Sequence, residues 1–157
     1  MEAIEIFLCY SHEDEKLRNI IAKLLRRLER QGQITVWYDR EIGPGKEWAR
    51  EIDLHLNTAQ IILLLISLDF VASDYCYTME MQKALERHAE ETARVIPIIL
   101  RPVFWEDTPF SKLQVLPSNT KPVTLWSVRD SAFLDIDRGI RKAIEELTAK
   151  PSVDKAC

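Results

Sequence analysis

Short apolar runs alternate along most of the chain with segments that carry apolar residues at helical spacing. The runs are rich in β-branched residues, which is typical of strands, whereas the segments between them have the period of amphipathic helices. This alternation predicts an α/β fold with a parallel sheet. The predicted strands are residues 4–10, 34–39, 61–66, 94–100 and 121–126.

The middle strand, IILLLI at residues 61–66, shows no polar alternation, as expected for a central parallel strand that helices cover on both faces. Pro97 removes a ladder donor from the fourth strand, which places that strand near an edge or at a bulge. The sequence therefore predicts a doubly wound sheet of five parallel strands with helices on both faces. In such sheets ligands bind beyond the carboxyl ends of the strands.

Polar residues that follow the predicted strands are the first candidates for a site. They are Tyr10, Ser11 and His12, then Asp39, Arg40, Gly43 and Lys46, then Ser67, Asp69, Ser73 and Asp74, then Arg101, and finally Ser127, Arg129 and Asp130. Because any loop between a strand and a helix is polar, this pattern indicates where a cleft would lie but is not by itself evidence of a binding site.

Composition narrows the class of protein. A chain of 157 residues with 46% apolar and 29% charged content predicts one soluble domain, placed at residues 1–149, with a polar tail or truncated linker at 150–157. The net charge of −4 argues against general nucleic-acid binding. Three scattered cysteines favour a reducing compartment, and neither a signal peptide nor a membrane span is apparent. We therefore expect a cytoplasmic protein with no nucleic-acid or membrane partner.

The stretch SDYCYTMEM at residues 73–81 places Glu80 about two turns into the helix predicted after the third strand, with Cys76 one turn earlier on the same face. A carboxylate at this position can face the predicted cleft. The alternative is a surface ion pair with Lys83 or Lys46, worth under about 1 kcal/mol. Spacing alone favours the surface ion.

Other kinds of site find little support. The three histidines have no partners at ligand spacing, so a metal site is not expected. No G-x-S-x-G, P-loop or G-x-G-x-x-G motif follows a strand. Cys76 is either a nucleophile near a helix start or, more in keeping with its lack of an assigned histidine, a buried structural thiol.

Four stretches taken in order resemble the successive sequence boxes of a Toll/interleukin receptor (TIR) domain of the bacterial type. They are IFLCYSHEDE, VWYDREIGPGKEW, SLDFVASDYCYTMEM and ARVIPIILRP, and the resemblance extends over residues 4–147. It implies a flavodoxin-like sheet of five parallel strands. It also implies that the loop at residues 40–48 is mobile, mediates self-association and borders a nucleotide site.

The same resemblance implies that Glu80 is the catalytic glutamate of an NAD+ nucleosidase that releases nicotinamide and either ADP-ribose or a cyclic isomer. NAD+ would be the substrate, and no cofactor would be needed. Many animal and plant members read W-C-x-x-E, whereas here Glu80 comes one residue later and Met79 occupies the aligned position. Self-association would activate the domain, which would serve as the effector of a bacterial defence system with a fused or separate sensor.

The remaining candidate residues are assigned to substrate binding. Trp48 or Tyr75 would stack on a substrate ring, although Trp48 suits a core position equally well. Contacts to ribose, phosphate or adenine would come from Tyr10, Ser11, Asp39 and Lys46, and the set is completed by Arg40, Gly43, Ser73 and Cys76.

Two other functions remain open from the sequence. Many animal TIR domains act purely by homotypic binding, so the alternative to the enzyme is a non-catalytic interaction or adaptor module that acts by homotypic binding or by interfering with a host's signalling complexes. A receiver-like phosphoacceptor domain is a third hypothesis, but CYSHEDE and LLLIS supply its acidic residues poorly.

Overall fold

The structure is a computed structural model that describes residues 3–38, 47–73 and 75–155. Its strands are β1 (Ile4–Cys9), β2 (Ile34–Trp37), β3 (Ile61–Ile66) and β4 (Arg94–Ile99). Its α-helices are α1 (Glu15–Arg30), α2 (Trp48–Thr58), α3 (Leu68–Ala72), α4 (Met81–Ala89) and α5 (Arg129–Lys155). Two 3₁₀ turns, His12–Asp14 and Val123–Leu125, and a π-helical turn, Tyr75–Glu80, complete the described elements.

The four strands form one parallel sheet in the order β2-β1-β3-β4. Alternate residues of β3 enter separate cores, Ile61, Leu63 and Leu65 on the face of α1 and α5, and their neighbours on the face of α2, α3 and α4. Every residue of β3 is buried, which explains its continuous apolar sequence. The predicted doubly wound α/β fold is confirmed.

The predicted fifth strand is wrong. Within the described residues, 121–126 contain the 3₁₀ turn Val123–Leu125, which follows Pro122 and is joined to the sheet by the N–H of Thr124, donated to the carbonyl of Leu100 at 3.0 Å. The position beyond β4 is taken instead by Leu116, in a single parallel bridge to Ile98. Prolines at 117 and 122 have no N–H to donate, so pairing cannot extend along this segment.

The chain after β3 also differs from the single helix that was predicted. Ser67 accepts a hydrogen bond from the N–H of Phe70 at 3.1 Å and caps the short α3. The π-helical turn Tyr75–Glu80 then precedes α4. Ser73 therefore caps the π-helical turn and not a long helix, since its Oγ accepts the N–H of Cys76 at 3.2 Å.

The outer edge of β4 is closed by three different means. The N–H of Val95 is donated to Nδ1 of His88 at 3.1 Å, Pro97 has no N–H, and the N–H of Ile99 is donated to the carbonyl of Leu116 at 2.8 Å. The prediction that Pro97 lies near an edge is confirmed. Closing these donors protects the strand against pairing with another chain.

No helix in the described ranges is both long and apolar enough to cross a membrane. Helix α5 is continuous across residue 149, where the sequence placed the end of the domain. The boundary at 149/150 stays a prediction.

Replacing His88 with alanine should lower the free energy of unfolding by about 1–2 kcal/mol, because the N–H of Val95 loses its acceptor. Urea denaturation measures the loss. His88→Asn is the matched control, since asparagine has a helix propensity close to that of histidine and offers an oxygen near the position of Nδ1. Equal losses in the alanine and asparagine variants would contradict a role for this hydrogen bond.

Candidate functional site

Glu80 ends the π-helical turn and stands at the start of α4. Its side chain is only 6% exposed, whereas that of the preceding Met79 is 61% exposed. This burial argues against the exposed surface ion that spacing alone favoured. It also makes Glu80, and not Met79, the enclosed side chain of the pair.

A cleft of about 310 Å³ lies between α2 and α4 at Glu80. Its lining consists of Asp53 and Leu56 from α2, together with Met79, Glu80, Gln82, Lys83 and Glu86. Three of these side chains are carboxylates and one is an ammonium group. The cleft therefore favours a ligand with positive charge.

Two hydrogen bonds at Cys76 fix the first residues of the turn that carries Glu80. The Oγ of Ser73 accepts the N–H of Cys76, and the Cys76 thiol donates to the carbonyl of Tyr10 at 3.5 Å. Because Cys76 is buried and its thiol is used in this contact, it fits the structural thiol better than the nucleophile. The contact ties the turn to the chain that leaves β1.

A π-helical turn closes i→i+5 hydrogen bonds and so accommodates one more residue than an α-helical turn. The spacing from Cys76 to Glu80 exceeds the W-C-x-x-E pattern by one residue. The turn absorbs that residue, and Glu80 remains enclosed although its sequence spacing differs. Turns of this kind occur frequently at functional sites.

The other candidate residues differ in burial and in their position in the fold. Tyr10 is 4% exposed, so little of its ring is open to a ligand, and the Oγ of Ser11 accepts the N–H of Glu13 at 3.3 Å. Trp48 begins α2 and Tyr75 begins the π-helical turn. Their substrate contacts, like those of Ser73 and Cys76, stay predictions. The predicted residues Asp39, Arg40, Gly43 and Lys46 lie outside the described residues.

One polar cluster at the carboxyl ends of the strands was not predicted as a unit. Asp14 is fully buried, accepts a hydrogen bond from the Ser67 hydroxyl and forms an ion pair with Nε of Arg101 at 2.8 Å. Asp14 was not among the candidate residues named from the sequence. Its helical spacing of three residues from Leu17 was the signal that Asp14 lies on the buried face.

Arg18 is a second buried charge that the sequence did not reveal. Its guanidinium lies 4.1 Å from the ring centre of Tyr38 and 4.9 Å from that of Tyr10. Cation–π contact offsets part of the cost of burying this charge.

Within the part of the chain that the structure describes, no group of three or more potential ligands is placed to hold a metal ion. Glu80 is a carboxylate enclosed beside other carboxylates. Such a group binds and stabilises positive charge.

A sequence profile for the TIR domain matches residues 6–143, most of the chain. The chain belongs to the TIR domain family. The resemblance seen in the four sequence boxes is thereby confirmed for the family.

A curated relative of this TIR domain is the uncharacterised protein y4lF of Sinorhizobium fredii (strain NBRC 101917 / NGR234), which is 50% identical over 151 residues. The match covers 96% of this chain and 47% of the relative, so the chain spans about half of that protein's length.

Solved structures share the fold. The TIR domain of the Toll-related receptor TRR-2 from Hydra magnipapillata has a TM-score of 0.57 at 24% identity, covering 87% of this chain and 97% of that one. The TIR domains of the activated Roq1 resistosome give 0.51 at 24% identity, with 61% and 57% covered. A prokaryotic SEFIR domain gives 0.51 at 15% identity, with 87% and 91% covered. At these identities the likeness concerns the fold alone.

Replacing Arg101 with methionine should destabilise this TIR domain by about 2 kcal/mol, because Asp14 loses its ionic partner. The value is below the range for fully buried pairs, since Arg101 is 44% exposed and water can enter. Urea denaturation is the measurement. The double variant Asp14→Asn, Arg101→Met removes both charges and should recover part of the loss; a double variant no more stable than the single one would contradict the pairing.

Proposed function

We propose that this TIR domain is an NAD+ nucleosidase that breaks the bond between ribose C1′ and the nicotinamide nitrogen, with Glu80 as its catalytic carboxylate. The observation that carries the proposal is a buried glutamate facing an acidic cleft between α2 and α4. Membership of the TIR family supports it.

The reaction suits a single carboxylate. Nicotinamide in NAD+ is a cationic leaving group, and the electron pair of the broken bond neutralises its ring, so no strong general acid is needed. The ribose passes through a state with oxocarbenium character, which a nearby ionised carboxylate stabilises. Water then adds its oxygen to C1′ and releases a proton, giving ADP-ribose. In the cyclic product a base nitrogen of the same molecule takes the place of water.

The surroundings of Glu80 suit a cationic substrate. Glu80 lies where the π-helical turn passes directly into α4, and its side chain is only 6% exposed. Asp53 and Glu86 add negative charge to the walls of the cleft. All three carboxylates attract the pyridinium ring of the intact substrate more than the neutral ring of free nicotinamide.

Self-association would switch the activity on through the loop at residues 40–48. Helix α2 begins at Trp48, at the end of this loop, and supplies Asp53 and Leu56 to the cleft. The same helix thus connects the loop to one wall of the Glu80 cleft. Such an assembly-dependent enzyme suits an effector in a bacterial defence system, joined to or recruited by a separate sensor.

Glu80→Gln should lower nicotinamide release from NAD+ by roughly 100-fold or more, because the amide keeps the size of the side chain but loses its charge. Chromatography of the products at low and high protein concentration measures this release and separates linear from cyclic ADP-ribose. Specific activity of the unchanged chain should rise with concentration if association activates it.

The matched control is Glu90→Gln, which makes the same chemical change at the exposed end of α4, away from the cleft. It should retain the activity of the unchanged chain. Absence of nicotinamide release at every concentration would contradict the enzyme and favour the non-catalytic interaction module. Activity that persists in Glu80→Gln would remove Glu80 from the catalytic role.

A further inference from the structure

One guanidinium, that of Arg87 on α4, joins the two helices that form the Glu80 cleft. Its Nη1 donates to the carbonyl of Leu56 at 2.8 Å and to the carbonyl of Ala59 at 2.6 Å. Its Nη2 donates to the carbonyl of Thr92 at 2.7 Å, and its Nε donates to Oγ1 of Thr92 at 3.2 Å. Both nitrogens of the fork and Nε are therefore used.

Two of the carbonyls that Arg87 binds, those of Leu56 and Ala59, lie at the C-terminal end of α2. The last carbonyls of an α-helix have no partner within the helix, and a cation there interacts favourably with the helix dipole. Leu56 also lines the cleft, while Glu86, the residue before Arg87, lines it from the opposite side. Glu86 thus forms part of the α4 wall of the cleft, and the next residue, Arg87, holds the opposite wall, α2, in place.

The sheet holds the same end of α2 independently. Glu5 on β1 accepts the hydroxyl of Thr58 at 2.6 Å and lies 2.7 Å from Nδ1 of His55, whose ring stacks on Trp37. Glu5 therefore fixes α2 against β1, and Arg87 fixes it against α4. The two contacts act in different directions, so loss of Arg87 frees α2 relative to α4 without releasing it from the sheet.

Burial lowers the pKa of Arg87 from its ordinary value, while the negative charges of Glu5 and Glu90 act in the opposite direction. An arginine pKa lies so high that the group stays protonated at neutral pH. A lysine ammonium, which has no planar fork, cannot serve both helix carbonyls and Thr92 in the same geometry.

We propose that Arg87 is a positioning residue for the Glu80 cleft: by bonding the Leu56 and Ala59 carbonyls it sets the distance between α2 and α4 and so the fit of the cleft to its ligand. The ligand named in the test rests on the proposed function. The mechanical part of the proposal, the attachment of α2 to α4, rests on the hydrogen bonds alone.

The experiment compares Arg87→Met, Arg87→Lys and Arg94→Met with the unchanged chain. Arg94 is the matched control, because it makes an ion pair with Glu146 on another part of the surface and does not line the cleft. Two quantities are measured: the steady-state kinetics of nicotinamide release from NAD+, and the hydrogen exchange of backbone amides in the last turn of α2.

Arg87→Met should raise KM for NAD+ by about tenfold, in line with the sensitivity of rate to small displacements of a site. The KM of Arg87→Lys should lie between that of the unchanged chain and that of Arg87→Met. Arg94→Met should leave KM unchanged. Amide exchange at residues 55–59 should be faster in Arg87→Met than in Arg94→Met. A merely structural role would lower kcat through a smaller folded fraction and leave KM as it is.

An unchanged KM in Arg87→Met, or amide exchange equal to that of the Arg94 control, would overturn the proposal. Should Arg87→Met fail to fold, two milder variants decide the same question by a smaller rise in KM. They are Arg87→Lys and Thr92→Val, which removes the acceptor of Nε together with the hydrogen bond that the Thr92 hydroxyl donates to the Arg87 carbonyl. If the unchanged chain releases no nicotinamide, the proposed function fails by itself, and amide exchange alone decides whether Arg87 positions α2.

Discussion

Burial of one carboxylate, that of Asp14, constrains the edge of the sheet at the carboxyl ends of the strands. An isolated charge in the interior is costly, so Asp14 has to be met by groups from other parts of the chain. The Ser67 hydroxyl comes from the end of β3 and the Arg101 guanidinium from the end of β4. The chain beyond the ends of β3 and β4 is thereby fixed relative to the 3₁₀ turn that follows β1.

Ser67 transmits this constraint to the candidate site. The same hydroxyl that donates to Asp14 accepts the N–H of Phe70 and begins α3, which ends one residue before Ser73. Ser73 in turn caps the π-helical turn that ends at Glu80. Only short, hydrogen-bonded steps separate the buried charge from the proposed catalytic carboxylate, so a change at Asp14 should displace Glu80 as well as weaken the fold.

The sequence predicted what depends on local periodicity and missed what depends on contacts between distant segments. Four strands and most of the helices could be predicted because each buries apolar side chains at a regular spacing, although the chain after β3 is broken into two helices and a π-helical turn. Residues 121–126 have a strand-like composition, but they contain a 3₁₀ turn instead. Pro122 has no N–H for a ladder, and Leu116 already pairs with β4. Glu80 was named as a candidate from its position in the sequence and from the family resemblance, and its role stays a proposal. Asp53, which lines the same cleft, lies on another helix, and no local pattern links the two.

The charge of the cleft bears on the direction of the proposed reaction. The lining of the cleft carries three carboxylates, those of Asp53, Glu80 and Glu86, and one ammonium group, so it attracts a cationic ligand. Cleavage converts the pyridinium ring to neutral nicotinamide, so the product loses the attraction that held the substrate, while the developing charge on ribose gains it. An acidic cleft thus favours both the transition state and the release of nicotinamide. Asp53 contributes to this effect only while Arg87 holds α2 close to α4.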